Sequence, residues 1–344
     1  MRKLKTCSKV ICIIGFVLIA LVISIGAGSV SVRPDDILAI IGNKLFGISF
    51  KNEIDPSIIS IVWEIRMPRV FSAFAVGAML SMSGAVMQSL LQNPLASSYT
   101  LGVSSGASLG AAIIIVSEIS IPALGLFLLP VTGFIFGLAT VLIVIFFSSR
   151  LDNNLRNHTI ILFGMVLSLF VNAILTMIST AYSQHIQRLT LWQFGTFAGR
   201  KWIHVAILIG FCIAGLISLS LFHRDLDLLN FGEEQSMTMG VDTKKVKYSL
   251  LIISSMLTGA SVCFTGIIGF IDLTVPHIIR KFFGSAHRML LPMSALLGGG
   301  FMALADLISR TILSPREIPV GAVTAFIGAP FFLWVYLSGR KEVQ

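Results

Sequence analysis

The stretch Gly266–Pro292, GIIGFIDLTVPHIIRKFFGSAHRMLLP, decides how this chain is interpreted. It is apolar as far as Pro276 except for Asp272, then has cations at Arg280, Lys281 and Arg288, and then becomes apolar again. A soluble protein could bury such a piece in its core. In a membrane protein the same pattern predicts a short, broken span with a basic edge on the cytoplasmic side.

The composition indicates a membrane protein. The 344 residues are 55% hydrophobic and 12% charged, whereas soluble domains have about 25% charged residues. The net charge of +9 comes largely from short basic clusters beside apolar runs, as cytoplasmic loops require. We therefore expect contact with membrane lipid and none with nucleic acid. The four cysteines have no metal-ligand spacing, and no metal site is predicted.

Apolar runs of roughly 20 residues predict an all-α polytopic protein of about ten spans, one of them short and broken. The first run follows the N-terminal basic residues and is longer than a signal peptide requires, so we expect an uncleaved helix. With ten spans, both termini lie in the cytoplasm. The spans are predicted near 10–30, 68–91, 100–117, 122–147, 159–182, 202–222, 246–268, 271–283, 289–310 and 318–337.

Two connections are distinctive. Residues 31–65 are predicted to form a polar outer loop. The amphipathic piece 183–201 contains Trp192, Phe194 and Phe197, and we expect a short helix there at the outer interface, where aromatic rings concentrate.

Small residues recur at helical spacing in the third predicted span. Gly102, Gly106 and Gly110 alternate with serines, which either allows close helix packing or forms a smooth, weakly polar wall. On the second interpretation, the candidate translocation residues are Ser104, Ser105, Ser108, Asn172 and Thr176.

Some functions are disfavoured by missing patterns. The sequence has no GxxxxGK[ST] motif, so we expect no ATPase site of the P-loop type and no enzyme activity. Few acidic residues fall inside predicted spans, chiefly Asp272 and Asp306. That disfavours an ion-coupled secondary transporter, which usually needs an ionisable relay, but leaves it as the alternative from another class.

An ordered set of motifs carries a family resemblance. They are RMPRVFSAFAVGAMLSMSGAVMQSLLQNPLA, LGVSSGASLGA, GIIGFIDLTVPHIIR, AHRMLLP, ADLISR and EIPVGAVTAFIGAPFF. Together they resemble the permease subunits of the FecCD type, from the iron–siderophore, haem and vitamin B12 ABC importers. The match covers almost the whole chain from about residue 29 onward.

The resemblance implies a single permease domain over residues 1–344 in the bacterial cytoplasmic membrane. The implied partners are a second permease copy or paralogue, two cytoplasmic ATPase subunits that use ATP, and an extracytoplasmic substrate-binding protein. The chain itself would bind no cofactor. An iron(III)–siderophore is the expected cargo, with haem and vitamin B12 as alternatives.

The resemblance also assigns roles to residues. Arg66, Arg69 and Arg310 would dock acidic residues of the binding protein. Residues 231–245 would form the coupling loop to the ATPase, while Asp225 and Asp227 just before it are expected to be solvated. The coupling residues are Glu233, Glu234, Ser236, Met237 and Gly240.

The short span would contribute to an inner gate through Asp272, Pro276, His277 and Arg280. At the position of Asp272 the family usually has a small residue. Because a carboxylate in the membrane is costly unless it is hydrated or paired, Asp272 is expected to face an aqueous vestibule or to pair with a cation.

Overall fold

The computed structural model describes residues 2–48, 54–152 and 155–340. Every regular element in these ranges is helical, which confirms the predicted all-α class. The α-helices are α1 (Arg2–Gly26), α2 (Pro34–Phe46), α3 (Pro56–Ser60), α4 (Met67–Leu90), α5 (Val103–Ser117), α6 (Leu128–Leu151), α7 (Asn157–Ala181), α8 (Ile186–Gln193), α9 (Trp202–Leu221), α10 (His223–Leu229), α11 (Glu233–Thr238), α12 (Thr243–Thr265), α13 (Ile271–Phe283), α14 (His287–Thr311) and α15 (Val320–Arg340).

Seven helical runs in the described part of the chain are long and apolar enough to cross a membrane. They are Thr6–Gly26, Pro56–Leu90, Gly125–Leu151, Asn157–Ala181, Trp202–Leu221, Thr243–Thr265 and His287–Thr311. Two shorter apolar helices, Val103–Ser117 and Val320–Leu333, accompany them. With α13 these runs correspond to the ten predicted segments, and the number that span the membrane stays a prediction.

The segment 31–65 is not simply a loop. It contains α2, and α3 continues through a π-helical turn, Ile61–Arg66, into α4. Helical structure therefore runs without interruption over Pro56–Leu90. The expectation of a plain polar loop was wrong because Pro34 and Pro56 both stand at helix N-termini, where proline is well tolerated.

Helix α4 is the centre of the bundle. Nearly all its residues are buried, and it packs against α9, α12, α13 and α14. Small residues make these approaches possible: a Cβ on Gly77 would overlap the backbone of Gly298, and one on Gly84 would overlap the backbone of Asp272. Close backbone contact of this kind is how helices associate when no hydrophobic effect drives them together.

The glycines of α5 serve the same purpose. A Cβ on Gly110 would lie 2.7 Å from the carbonyl oxygen of Thr132, and one on Gly106 would lie 2.6 Å from that of Phe136. Both neighbours belong to α6, so this face of α5 is a packing surface.

The chain breaks between α12 and α13, as the sequence pattern predicts. Gly266 adopts φ +78°, and the backbone around it is paired with other parts of the chain. The Ile267 N–H donates to the Gln193 carbonyl (3.2 Å), and the Thr196 N–H donates to the Thr265 carbonyl (2.8 Å). Irregular backbone at membrane depth is tolerated only when it is satisfied in this way.

The hydrogen bonds between this break and the segment after α8 explain why one aromatic residue is more buried than the sequence pattern predicts. After α8 the chain turns inward and meets the break, and Phe197 is fully buried. The sequence pattern grouped Phe197 with the exposed aromatic residues of this segment, whereas the structure packs it inside the chain; the position of the segment at the outer interface stays a prediction. The short helix α8 itself forms as predicted.

Candidate functional sites at the two ends of α4

Helix α4 packs antiparallel to α14, and polar side chains cluster at both ends of the pair. The arginine end comprises Arg66, Arg69, Asp306, Arg310 and Glu317. The histidine end comprises Ser89, Asp227, Arg280 and His287. Residues 69 and 89 are 20 positions apart on α4, which corresponds to roughly 30 Å along a helix.

Arg69 forms charge-assisted hydrogen bonds with two carboxylates, those of Asp306 and Glu317. Its Nε lies 3.0 and 2.9 Å from the two carboxylate oxygens of Asp306, and its Nη1 lies 2.7 Å from Oε1 of Glu317. Asp306 is fully buried, whereas the Glu317 side chain is 40% exposed. Multiple charge-assisted bonds of this kind fix the geometry of both partners.

The other two arginines hold the end of α1. Arg66 donates to the carbonyls of Ile25 (3.0 Å) and Gly26 (2.9 Å), and Arg310 donates to the carbonyl of Ser24. Helix C-termini favour cations, so two guanidinium groups anchor α1 to the α4–α14 pair.

All three predicted docking residues are therefore engaged inside the chain. Arg66 and Arg69 are buried, and the Arg310 side chain is only 9% exposed. Their docking role stays a prediction. Glu317 and the end of α1 could not be predicted as partners, because Glu317 is 248 residues from Arg69 and the end of α1 is 286 residues from Arg310.

The predicted coupling residues divide into two groups. Glu233 pairs with the buried Lys247, and Ser236 is buried, with its hydroxyl donating to the Leu228 carbonyl (2.9 Å). Gly240 adopts φ +89° just after α11. By contrast, Glu234 and Met237 are exposed. The first three residues build the segment, and the last two are free to contact another protein.

A groove of about 570 Å³ opens beside α11. It is lined by Leu91, Gln92, Arg156, Asn157, His158, Phe231, Gly232, Glu233, Glu234, Gln235 and Met237. Beyond it, Asp242 caps α12 by accepting from the Lys245 backbone N–H (3.2 Å). Its bonds to the Lys245 side chain and backbone hold the pKa of Asp242 below its usual value.

Asp272 does not meet either expectation. It is buried and accepts a hydrogen bond from the hydroxyl of Ser97, so it neither faces water nor pairs with a cation. Its Oδ1 has no partner among the described residues. Ser97 lies in the connection between α4 and α5, so the contact fixes the start of α13 to that connection.

The remaining gate residues lie on α13. Pro276 is buried and His277 is half-buried. Arg280 donates to the Ala85 carbonyl (3.1 Å), to Ser89 Oγ (3.2 Å) and to the Gln88 side-chain oxygen. It thus binds the last turn of α4.

Asp227 is not simply solvated. Its Oδ1 accepts from the backbone N–H of His287 (2.9 Å) and lies 2.6 Å from the His287 Nδ1. The expectation failed because the partner is 60 residues away. The sequence features that could have suggested this pair are a histidine at the start of α14 and an aspartate just before the coupling loop.

The five candidate pathway residues do not share one environment. Ser105 and Ser108 are buried and Ser104 is half-buried, whereas Asn172 and Thr176 are exposed on α7. Their common role stays a prediction. No group of three or more potential metal ligands occurs within the searched ranges 2–48, 54–152 and 155–340.

The long apolar helices of the described ranges, with the break between α12 and α13, are typical of a polytopic membrane protein. The chain belongs to the FecCD transport family, whose model matches residues 16–338.

Individual relatives extend over nearly the whole chain. The ABC transporter permease protein YvrB of Bacillus subtilis is 39% identical, over 95% of this chain and 92% of its own. The hemin transport system permease protein HmuU of Yersinia pestis is 36% identical, over 96% of both chains. The Fe(3+) dicitrate transport system permease protein FecD of Escherichia coli is 36% identical, over 81% of this chain and 86% of its own.

A solved structure has the same fold. It is described as an inward-facing conformation of a metal-chelate type ABC transporter, and it matches with a TM-score of 0.83 at 28% identity. The match covers 96% of this chain and 99% of the other. This chain is accordingly an ABC-transporter permease of the FecCD family.

Proposed function

We propose that this chain is the permease subunit of an ABC importer that moves an iron(III) chelate of the siderophore type across the cytoplasmic membrane. The observation that supports this most is the exposed surface of α11, which sits on a segment bonded into the helix bundle. Two relatives are named for iron-containing cargo, hemin and Fe(3+) dicitrate. On this proposal the chain performs no chemistry and houses no ATPase site.

The partners follow from this function. Two cytoplasmic ATPase subunits would each receive one α10–α11 segment, with Glu234 and Met237 at the contact. Closure of the ATPases on ATP would then move the segment as a rigid body. The internal Glu233–Lys247 pair keeps α11 in place on α12, so force applied to α11 reaches the long helices.

A second permease copy or paralogue would pack beside this one. Helix α7 has an exposed face with Leu169, Phe170 and Met177 beside Asn172 and Thr176. A face that mixes large apolar and small polar groups fits a helix that lines a shared pathway between two copies. With ten spans in each copy, both termini of the chain would lie in the cytoplasm.

An extracytoplasmic binding protein would dock at the arginine end. In the structure, Glu317 already supplies Arg69 with one carboxylate and is partly exposed. We propose that an acidic residue of the binding protein takes the place of Glu317, so that docking exchanges one Arg–carboxylate pair for another. Such an exchange avoids leaving the buried guanidinium unpaired.

The test is uptake into liposomes that contain the purified permease, its ATPase and its binding protein. We expect accumulation of a ferric siderophore that requires ATP and stops when the ATPase lacks its P-loop lysine. Uptake that needs an ion gradient and no ATP would contradict the proposal and favour a secondary transporter.

The same preparation identifies the cargo. Ferric siderophore, haem and cobalamin are titrated against the binding protein by fluorescence quenching. A ferric siderophore is expected to bind tightest. Preference for haem or cobalamin would leave the importer assignment standing and replace its cargo.

A further inference from the structure

The histidine end joins four helices through one chain of hydrogen bonds. We infer that Asp227 and His287 are positioning residues that fix the α10–α11 segment to α4, α13 and α14, so that a movement of the segment is passed to the short helix. The inference rests on the proposed function for the origin of that movement. The link itself is a property of this chain alone.

The first part of the link joins α10 to α14. One carboxylate oxygen of Asp227 is close to two nitrogens of His287: the backbone N–H at 2.9 Å and the ring Nδ1 at 2.6 Å. The side chain of His287 is fully buried. Two bonds from one residue fix both the start of α14 and the orientation of its imidazole ring.

The second part joins α14 to α4 and α13. The His287 Nε2 lies 2.8 Å from Ser89 Oγ, and the same oxygen lies 3.2 Å from the Arg280 Nη2. Arg280 also reaches Gln88, whose Nε2 donates to the Asp272 carbonyl (3.1 Å). The chain of bonds therefore runs from α10 to both ends of α13.

Other contacts also hold the α10–α11 segment, among them the Glu233–Lys247 ion pair between α11 and α12, but each of them joins the segment to one other element. Leu226 and Leu229 are buried, and Gln92 donates to the Leu229 carbonyl (2.9 Å). Apolar contacts are non-directional, so the segment can slide along them with little loss of free energy. Hydrogen bonds to the buried imidazole depend on direction, so a displacement of Asp227 must either break these bonds or move His287 with it.

Helix α10 offers a matched control. Asp225 is two residues from Asp227 on the same helix, and its carboxylate has no hydrogen bond or ion pair among the described residues. Asp225→Ala and Asp227→Ala remove the same carboxylate from the same helix. A difference between them reports the link to His287 and not the charge of α10.

The structural test uses the purified permease without its partners. Spin labels are placed at Gln235 and Arg288, which are both exposed, in a variant whose four cysteines are replaced by alanine. We expect one narrow distance distribution in the otherwise unchanged protein and in Asp225→Ala. Asp227→Ala should broaden it. An equally narrow distribution in Asp227→Ala would overturn the inference.

The functional test measures cargo moved per ATP hydrolysed in the reconstituted importer. Asp227→Ala should lower this ratio about ten-fold, within the usual range of coupling between sites, while hydrolysis continues. His287→Asn keeps a donor near Asp227, and His287→Gln keeps a polar group near Ser89. His287→Ala removes both groups, and we expect each of the two polar variants to move more cargo per ATP than His287→Ala does.

The outcomes separate the two proposals. If no preparation shows ATP-driven uptake but the distance broadens only in Asp227→Ala, the proposed function fails and the link stands. If uptake is normal and Asp227→Ala keeps both the narrow distance and the full ratio, the link is wrong and the importer assignment stands.

Discussion

The two ends of the α4–α14 pair are both polar, but they are bonded by different means. At the arginine end, three guanidinium groups meet one fully buried carboxylate, one partly exposed carboxylate and the carbonyls at the end of α1. At the histidine end, the links run through the partly exposed carboxylate of Asp227, an imidazole, a hydroxyl and an amide, with Arg280 as the cation.

The two kinds of bonding differ in how easily each end can move. Breaking a buried ion pair costs several kcal/mol because it leaves a desolvated charge alone. The histidine end has no fully buried carboxylate, because Asp227 is partly exposed, and its bond between the imidazole and Ser89 contributes only about 1 kcal/mol if both groups are neutral. The arginine end is therefore suited to hold α1 on the bundle. The histidine end is suited to follow a partner that pulls on it.

Arg69→Ala is expected to have the largest effect at the arginine end. It would leave Asp306 buried without its main partner, and we expect a loss of about 3–5 kcal/mol in the free energy of unfolding. Thermal unfolding in mild detergent measures it. Arg33→Ala is the control, because the Arg33–Asp35 pair is exposed and should cost less than about 1 kcal/mol.

A double variant checks the cause. Arg69→Met together with Asp306→Leu removes both charges, and it should be more stable than Arg69→Ala. Equal instability of the two variants would mean that packing, not charge, governs this end.

Between the two ends, Gly84→Ala tests how tightly α13 is seated. The added methyl group would overlap the Asp272 backbone, and overpacking of this kind costs roughly 1–3 kcal/mol. Gly210 on α9 has nothing within 4 Å of the corresponding position, so Gly210→Ala should not destabilise. Similar melting temperatures for the two variants would contradict the close packing of α4 on α13.

Ser97→Ala tests the hydroxyl that bonds to Asp272. A buried carboxylate that loses a donor should cost about 1–3 kcal/mol. Ser108 is the control, since its hydroxyl is buried with no hydrogen-bond partner among the described residues, and Ser108→Ala should be close to neutral. If denaturant midpoints fall equally in both variants, the Ser97–Asp272 contact has no special weight.

The smallest expected effect is that of Glu317→Gln. Its carboxylate is partly exposed, so stability should change by less than about 1 kcal/mol. If the binding protein competes for Arg69, its affinity for the permease should rise several-fold, about five-fold per 1 kcal/mol. Surface plasmon resonance measures this, and unchanged or weaker binding would argue against the exchange.

The sequence allowed the helices to be predicted well, for a physical reason. Glycine and proline mark chain breaks locally, so the short helix Ile271–Phe283 has the predicted limits. The close packing of α5 on α6 at Gly106 and Gly110 also agrees with the interpretation of small residues at helical spacing as a packing surface.

Partners distant in the chain could not be predicted. The packing of α4, α12 and α14 is what brings three pairs together: Asp227 with His287, Glu233 with Lys247, and Arg69 with Glu317. A lysine inside a predicted span gives no local sign of which carboxylate it meets. The same limit explains why the partners of the three arginines within the chain were not predicted.

Site-specific photo-crosslinking in native membranes can show whether the two ends face different partners. The crosslinker is placed either at Met237, which is 46% exposed, or at Leu313, which is 61% exposed. We predict that position 237 captures the ATPase and that position 313 captures the extracytoplasmic binding protein. Capture of the ATPase from position 313, or its absence from position 237, would contradict the account.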